Sequence, residues 1–469
     1  MRAGSRHGTA DRVAAWETST RPVRCAAGTR RYFGAEGLCS ATYRDPLVPN
    51  GNRGATVALA YKGLLAVARP PRQRGTSSAR VPEIDALRVV AMVSVFAAHA
   101  AQPFNPWDAW LVQRPERSKW LGELVLFFAP WVMPLFVLLA GASAWHSLGK
   151  RSARAYLDER VVRLIIPLAA GILILVPPQV YLDRRQRGLF DGSLLAFYPH
   201  FFEGIYPEGN FAWAHLWFLG ILALIAAITL PLCQWLRGMT GARVMSWAAG
   251  VCTPRGAILL LAVPLLAVRV ALWAVFPHAR PITTDWTNRT TLLAVFVNGY
   301  VVAGEPRLLH AVDRQWTIAL GVAVTFSAGM FVWAWPADFT ERFPIPFTTR
   351  YALVWSAYTV GGWAWSVAWL GGARRLRCLA RRSLDRVLVL LNPFYMLHQT
   401  IIVVLAFYLR PVAAGPIATY AAVFAVALAA TVALSAASTR SHVARLLLGV
   451  RGASRHRSIP FRGYRHGHV

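Results

Sequence analysis

An arginine and a histidine share one apolar segment of the chain, as Arg88 and His99. In a helix, eleven steps of about 100° bring both side chains to within about 20° of one face, about 16 Å apart along the axis. With Arg88 at a membrane surface, His99 is expected near the middle of the bilayer, where ionisable groups are costly and by default functional. A histidine can act as a general base near neutral pH. We therefore predict that His99 is catalytic; a structural histidine bonded to a helix carbonyl is the alternative.

A second basic pair opens a later apolar segment. Arg160 and Arg163 are three residues apart, so in an α-helix they share a face, and we expect them at the membrane level of Arg88. The planar guanidinium group suits phosphate oxygens. The spacing thus predicts three arginines that converge on a phosphorylated cytosolic ligand. It fits equally well a set of basic residues that only orient the chain in the membrane.

Other polar and aromatic residues in or beside apolar segments are candidates for the lining of a cavity. They are His215, Trp217, Arg269, Tyr395 and His398. An arginine within a membrane span is costly, so Arg269 is expected to face a cavity or a bound anion. Packing or an interfacial hydrogen bond is the commoner use of histidines placed like His215 and His398. The five cysteines are scattered, so we predict neither a metal site nor a disulfide framework.

The composition is that of a membrane protein. Of the 469 residues, 56% are hydrophobic and only 15% are charged, which would be unusual for a soluble globule. The 50 basic and 21 acidic residues give a formal net charge of +29, a balance that often indicates nucleic-acid binding. Here the basic residues are spread over the tails and short loops, as topology signals are. We therefore expect the lipid bilayer as a partner and no nucleic acid.

Apolar segments alternate with short polar loops between residues 81 and 440, which predicts an all-α integral membrane domain. We expect a bundle of about ten transmembrane helices, at 84–101, 124–146, 161–182, 213–236, 256–277, 290–304, 315–336, 348–371, 387–409 and 416–438. The distribution of basic residues places both termini in the cytoplasm. Residues 441–469 then form a basic cytoplasmic tail. Residues 1–80 lack an apolar period and are expected to be a disordered basic extension; an over-long gene start or an organellar transit peptide are the alternatives.

Five short elements, in this order, resemble the acyltransferase 3 superfamily of membrane acyltransferases, which includes O-antigen acetylases and glucan-modifying succinyltransferases. That family has an arginine and a histidine with ten residues between them in its first helix, as Arg88 and His99 are here. The other elements are an apolar segment at 134–141, an Arg-x-x-Arg-Leu-x-x-Pro element at 160–167, a His-Leu-Trp-Phe-Leu element at 215–219 and a Pro-Phe-Tyr-x-Leu-His-Gln element at 393–399. The family's serine in the apolar segment is replaced by Ala140.

The resemblance implies a membrane O-acyltransferase. It would move an acyl group, such as acetyl or succinyl, from a cytosolic acyl-CoA donor to a hydroxyl of a carbohydrate or of another envelope or secondary-metabolite acceptor. Arg88, Arg160 and Arg163 would bind the donor phosphates, and His99 would act as the base or carry the acyl group covalently. Acyl-CoA would be a substrate, with no bound cofactor, and the protein would be a multi-pass protein of a bacterial inner or plasma membrane.

Two other functional classes fit the composition and the helix count. A secondary transporter or flippase for an anionic or glycolipid substrate is one, and a non-catalytic membrane scaffold is the other. Coupled carriers often place carboxylates in mid-helix, whereas Asp85, Glu123 and Glu305 fall at predicted helix ends. A scaffold would not require His99 inside the membrane. The absence of carboxylates in mid-helix and the expected position of His99 favour the enzyme.

Overall fold

The computed structural model describes residues 82–107, 110–273, 286–334, 348–375, 381–412 and 414–450. Within these ranges the chain is helical and forms no β-strand, so the predicted all-α class is confirmed. The predicted extension at 1–80 lies outside the described residues, as does the tail beyond residue 450.

Helices occur in all ten predicted segments, although several are divided. The first six are α1 (Pro82–Ala101), α2 (Lys119–Phe128), α3 (Val132–Leu148), α4 (Ala153–Arg160), α5 (Ile166–Ile174) and α6 (Pro177–Gln186). The middle six are α7 (Leu194–His200), α8 (Trp217–Ile228), α9 (Leu230–Leu236), α10 (Met239–Cys252), α11 (Val263–Trp273) and α12 (Trp286–Gly304). The last five are α13 (Pro306–Ala334), α14 (Thr349–Arg375), α15 (Arg381–Tyr408), α16 (Pro416–Ser438) and α17 (His442–Leu447). Helices α4, α7, α10 and α17 lie outside the predicted segments; the polar and apolar residues of α10 are mixed, and the other three helices are short.

Six helical stretches in the described part of the chain are long and apolar enough to cross a membrane. They are Pro82–Phe104, Lys119–Leu148, Ala153–Gln186, Pro306–Val332, Arg386–Tyr408 and Pro416–Ser438. A seventh span is formed if the segment Ala214–Ile228 and helix α9, which are bent by 47° relative to each other, cross together. The prediction of one continuous helix over 213–236 was therefore wrong, and Pro231, which cannot donate a helical hydrogen bond, lies next to the bend. The total of about ten spans stays a prediction.

Helices α3 and α12 pack with their backbones in close contact. A Cβ atom at Gly141 of α3 would collide with the carbonyl group of Phe296, and one at Gly299 of α12 would collide with the carbonyl group of Leu138. Small residues permit this approach, which supplies van der Waals contact between helices that have no hydrophobic driving force in lipid. The glycine in the motif segment 134–141 therefore has a packing role.

Helix α1 lies against α2, α3, α14 and α15. Its two ends face different partners, because Arg88 contacts α3 and His99 contacts α15. Neighbours on several sides fix the rotation of α1 about its axis. Both candidate residues on its stripe therefore point into protein.

A buried arginine holds the loop that precedes His215. The guanidinium group of Arg184, at the end of α6, donates to the side-chain oxygen of Asn210 at 2.7 Å and to the carbonyl of Pro207 at 2.8 Å, and it also donates to the carbonyl of Gly209. Each donor of a buried guanidinium needs such an acceptor. These bonds attach the loop to α6 and so fix the start of the turn that carries His215.

Candidate active site

Arg88 and His99 occupy the same helix, as predicted, but His99 is not in its middle. Helix α1 begins at Pro82, so Arg88 already lies about one and a half turns inside it. His99 falls in its last turn, and a 3₁₀ turn at Gln102–Phe104 follows. The position of His99 near the middle of the bilayer stays a prediction. The separation of Arg88 and His99, about 16 Å along the axis, is unchanged.

The side chain of His99 pairs with that of His398 in α15. Its Nδ1 atom lies 2.8 Å from Nε2 of His398, and the two rings are nearly parallel, with their centroids 5.1 Å apart. His398 is fully buried, and its other nitrogen, Nδ1, lies 2.7 Å from the backbone carbonyl of Tyr395. The structure thus brings together two candidates that lie 299 residues apart in the chain.

This chain of hydrogen bonds determines which nitrogens carry protons. A carbonyl oxygen can only accept, so Nδ1 of His398 must be the donor to Tyr395. In a neutral His398 the remaining nitrogen, Nε2, is then an acceptor, and Nδ1 of His99 must donate to it. The lone pair of a neutral His99 is therefore on Nε2. This nitrogen has the electronic form that a general base or a nucleophile requires.

His215 joins the same cluster from a 3₁₀ turn at Ala214–Leu216. Its Nε2 lies 3.1 Å from the carbonyls of both Tyr395 and Met396, so Nε2 carries the hydrogen. The ring centroid of His215 is 5.0 Å from that of His398 and 6.4 Å from that of His99. The turn contains Ala214 at a φ of 45°, a conformation that costs energy for a residue other than glycine. The strained residue directly precedes His215, and strain of this kind is found at functional sites.

The second nitrogen of His215 is left as an acceptor. Nδ1 is buried and has no hydrogen-bond partner among the described residues. Buried polar atoms are normally satisfied by protein, water or ligand. A hydroxyl group is the type of donor that this nitrogen can accept from. His215 therefore both supports the backbone of α15 and offers an acceptor next to the His99–His398 pair.

Aromatic rings surround the histidines. Trp110 stacks on His99 with a centroid separation of 6.4 Å, and Phe394 lies nearly parallel to His398 at 6.1 Å. Phe96 lies next to Phe394, with ring centroids 5.5 Å apart, and is 6.2 Å from His398. Apolar surroundings of this kind strengthen the hydrogen bonds between the rings. They also fix the orientation of both imidazoles.

A buried amide network fixes α15 next to His398. Gln399 donates to the side-chain oxygen of Gln179 at 3.0 Å, and the amide nitrogen of Gln179 lies 2.8 Å from both Thr400 Oγ1 and the carbonyl of Leu175. Gln179 is fully buried. Sequence analysis did not single it out, although a glutamine after two prolines inside an apolar segment was a signal of a buried polar role. The network joins α6 to the helix that carries His398.

Tyr395 and Trp217 also lie in this region. The hydroxyl of Tyr395 donates to the backbone carbonyl of His215, so the residue locks the turn and the helix to each other. Trp217 begins α8 directly after the turn, is half-buried, and packs against Phe218 at 6.0 Å. Tyr395 belongs to the histidine cluster itself, and Trp217 lies at its edge.

Arg269 is held elsewhere. Its Nη2 donates to the side-chain oxygen of Asn288 at 2.7 Å, and its guanidinium lies 5.1 Å from the ring centroid of Trp355. These partners belong to α12 and α14, whereas the histidines lie on α1, α15 and the 3₁₀ turn. Arg269 is buried within the protein, where polar and aromatic groups compensate its charge, and its predicted role towards a cavity or a bound anion stays a prediction.

Arg88 lies at the opposite end of the α1 stripe from His99. Its Nη1 is 2.7 Å from Asp85 and its Nη2 is 2.6 Å from the hydroxyl of Ser143 in α3. That hydroxyl in turn donates to the carbonyl of Leu139 at 2.6 Å. The chain lacks the family's serine at Ala140, yet Ser143, three residues later, supplies a hydroxyl to the motif arginine. The spacing had given no reason to consider Ser143.

Arg160 precedes, and Arg163 lies within, a π-turn that the sequence did not predict. Residues Val161–Ile165 form one turn of π-helix between α4 and α5, so the α-helical face assumed for the two arginines does not hold. The cause is Pro167, which cannot donate to the carbonyl of Arg163 and whose ring would clash with it in an α-helix. π-turns of this kind are frequent at functional sites.

Local partners hold both arginines of this turn. Arg160 lies over the ring of Tyr156, 4.6 Å from its centroid, and Arg163 is paired with Glu159 at 2.9 Å. Both guanidinium groups remain partly exposed. The structure thus supports their availability at the surface of the helix. That they converge with Arg88 on one phosphorylated ligand stays a prediction.

Comparison with known protein families decides the class of this site. The family model for the acyltransferase 3 domain matches residues 81–436, which is more than half of the chain and includes every candidate residue described above. The chain belongs to the acyltransferase 3 family. It is a membrane acyltransferase and a multi-pass membrane protein, as the resemblance implied. No curated protein and no solved structure matched the chain.

The described part of this acyltransferase extends beyond the matched region at its C-terminal end. The match ends at residue 436, whereas helix α17 and the turn after it extend the described chain to residue 450. The histidine cluster lies wholly inside the match. The segment 442–450 therefore lies outside the matched region.

Proposed function

We propose that the protein is an O-acyltransferase that transfers an acyl group from an acyl-CoA donor to an acceptor hydroxyl, with His99 Nε2 as the base. The observation that carries the proposal is the bonded series from His99 to His398 to the carbonyl of Tyr395. It leaves the lone pair of His99 on Nε2, and it allows His398 to support the positive charge that His99 acquires. A hydroxyl is a poor nucleophile and needs such a base.

In the proposed reaction, His99 Nε2 removes the proton of the acceptor hydroxyl as its oxygen attacks the thioester carbonyl. The bond between the carbonyl carbon and the sulfur then breaks, and the acyl group stays on the acceptor oxygen as an ester. The CoA thiolate leaves with the electron pair and receives the proton from His99. The histidine returns to its starting form, so no external acid, base or oxidant is consumed.

The proposed donor site lies at the Arg88 end of the stripe. Arg88, Arg160 and Arg163 carry the charge and the planar geometry that suit the phosphates of acyl-CoA. The thioester lies at the far end of the extended pantetheine arm, so phosphates bound near Arg88 leave it free to reach His99. We assign the arginine end to the cytoplasm, because acyl-CoA is a cytosolic metabolite. The acceptor would be a carbohydrate or another hydroxyl compound that enters from the His99 side.

The test uses purified protein in lipid nanodiscs with acyl-CoA labelled in the acyl group and a hydroxyl acceptor extract. We expect release of CoA thiol together with label in the acceptor fraction, and loss of both in the His99→Ala variant. Label retained on the wild-type protein in the absence of acceptor would instead indicate a covalent acyl-histidine. Movement of substrate across the bilayer without release of CoA would contradict the proposal and favour a transporter.

A further inference from the structure

The last helix of the described residues, α17, is short and has a capping motif at each end. Helix α17 starts after Ser441, whose hydroxyl accepts from the backbone N–H of Ala444 at 3.3 Å. The turn after it contains Gly449, which has a φ of 64°. The N–H of Val450 bonds to the carbonyl of Arg445 at 2.8 Å, and that of Gly449 bonds to the carbonyl of Leu446 at 3.2 Å. This pair of bonds is a Schellman motif, so the turn has a fixed conformation.

Helix α17 contacts α5, and the turn after it adds a hydrogen bond to α15. None of the six residues of α17 is buried, and Val443 is 66% exposed. In contrast, the carbonyl of Leu448 accepts from the amide nitrogen of Asn392 at 2.9 Å. The hydrogen bond from Asn392 fixes the place where this turn is attached. That point is informative about its role.

Gly449 lies directly on the π-turn of the arginine pair. A Cβ atom at this position would be 2.9 Å from Cγ of Pro167 and 3.1 Å from the carbonyl oxygen of Arg163, and it would collide with the side chain of Asn392. Glycine is thus required twice, by the left-handed φ and by the absence of space. Pro167 donates no hydrogen bond to the Arg163 carbonyl, and the backbone of Gly449 packs there.

The docking point also adjoins the helix that carries His398. Asn392 directly precedes the Pro-Phe-Tyr-x-Leu-His-Gln element, and His398 lies six positions further along the helix, about 9 Å along the axis. The turn therefore contacts two segments, the π-turn of the arginine pair and the part of α15 that precedes His398. The proposed reaction needs these two segments in a fixed position relative to each other.

We propose that residues 442–450 form a positioning element for donor binding, which acts by fixing the π-turn that presents Arg160 and Arg163. The inference rests on the proposed donor site at these arginines. Asn392 and Gly449 are its positioning residues; neither is assigned a contact with substrate. Loosening of the turn is expected to weaken donor binding and to leave the chemistry at His99 unchanged.

The experiment measures the KM for acyl-CoA and the kcat of full-length variants. Gly449→Ala is compared with Gly256→Ala, because Gly256 has a similar φ of 82° and no atom within 4 Å of a Cβ. Both substitutions carry the same backbone cost, and only Gly449→Ala adds the collision. Asn392→Leu removes the hydrogen bond to Leu448 and serves as the second test if Gly449→Ala folds poorly. Arg163→Ala reports on the donor site itself.

We expect Gly449→Ala and Asn392→Leu to raise the KM for acyl-CoA by about tenfold, with kcat nearly unchanged and Gly256→Ala at wild-type values. A wild-type KM in both test variants, with a raised KM in Arg163→Ala, would overturn the positioning role and leave the proposed function intact. An unchanged KM in Arg163→Ala would remove the donor site and this inference with it. A fall in kcat alone, or an equal effect of Gly256→Ala, would show a merely structural role and also overturn the inference.

Discussion

His398 has the role that depends most directly on observed geometry, because it links His99 to a backbone carbonyl. Replacement by leucine removes the acceptor for the Nδ1 hydrogen of His99 and leaves that donor buried and unpaired, which costs about 1–3 kcal/mol. We expect His398→Leu to lower kcat by about 10- to 100-fold. Glutamine still offers a side-chain oxygen, so His398→Gln should retain more activity. Equal kcat values for the wild type and His398→Leu would contradict the assignment of protons.

His99 is expected to fail differently from the arginines. His99→Ala removes the base and should lower kcat by about 10²- to 10⁴-fold, with acyl-CoA binding preserved. His99→Gln keeps hydrogen-bonding capacity but cannot cycle a proton, so it should be nearly as inactive. The measurement is single-turnover acyl transfer together with equilibrium binding of a non-hydrolysable acyl-CoA analogue. A folded His99→Ala protein with near wild-type turnover would exclude the base mechanism.

The arginines are expected to act on donor affinity. Arg160→Ala and Arg163→Ala should each raise the KM for acyl-CoA by about 10- to 100-fold, since a hydrogen bond to a charged group contributes about 1.5–3 kcal/mol, and kcat should change little. Lysine should restore affinity only in part, because it lacks the planar fork. Arg314→Ala is the control, since Arg314 bonds to the carbonyl of Thr253 outside the predicted cluster.

Arg88 should show an additional effect on stability. Its removal leaves the buried carboxylate of Asp85 without this ion-pair partner, which is costly in a low-dielectric environment. Arg88→Ala is therefore expected to lower the melting temperature as well as raise the KM. Ser143→Ala removes one hydrogen bond of Arg88 and should have a smaller effect on both the melting temperature and the KM.

At the scale of elements, an alanine substitution should lower stability at a glycine in the close contact of α3 and α12, and it should not lower stability at a glycine with open space around it. Gly141→Ala forces a Cβ against the carbonyl group of Phe296 and should destabilise the protein by about 1–3 kcal/mol. Gly321→Ala lies in α13 with open space around the Cβ, so it should preserve or raise stability through helix propensity. Thermal unfolding in detergent measures both. A lower melting temperature for both variants would show that the packing argument is wrong.

The elements also show where sequence patterns were sufficient. Each of the ten segments located by hydropathy contains helix, and helical spacing correctly placed Arg88 and His99 on one helix, because both signals are local. The pairing of His99 with His398 depends on the packing of α1 against α15, which no spacing within either segment encodes. The face shared by Arg160 and Arg163 was mispredicted because an α-helical period was carried through Pro167. A proline four residues after an arginine was a signal that the period would change there.

At the scale of the whole molecule, every site residue lies between Arg88 and Gly449. Residues 1–80 hold none of the chemical elements, so a protein that starts near Ala79 is expected to insert into membranes and to retain acyl transfer. Activity per amount of inserted protein is the measurement. Normal insertion with loss of turnover would show that the extension contributes to function.

In the proposed mechanism, donor and acceptor bind at different ends of helix α1, about 16 Å apart. A donor bound by its phosphates at one end and an acceptor at the other need not share an entrance. The reaction then couples the two sides of a membrane without passage of either whole substrate. This arrangement belongs to the bundle and not to any single residue.

The carbonyl of Tyr395 accepts from Nδ1 of His398 at 2.7 Å and lies 3.1 Å from Nε2 of His215. One peptide oxygen therefore sets the tautomers of two histidines. Every amino acid has this oxygen, so substitution at position 395 cannot delete it, and its importance leaves no trace in residue identity. What evolution must preserve here is the path of the backbone after Pro393, so related chains could vary the side chain at this position and keep the same proton arrangement. An amide-to-ester replacement at the peptide bond after Tyr395 weakens that oxygen as an acceptor. It would therefore test the role of this carbonyl, which no side-chain substitution can remove.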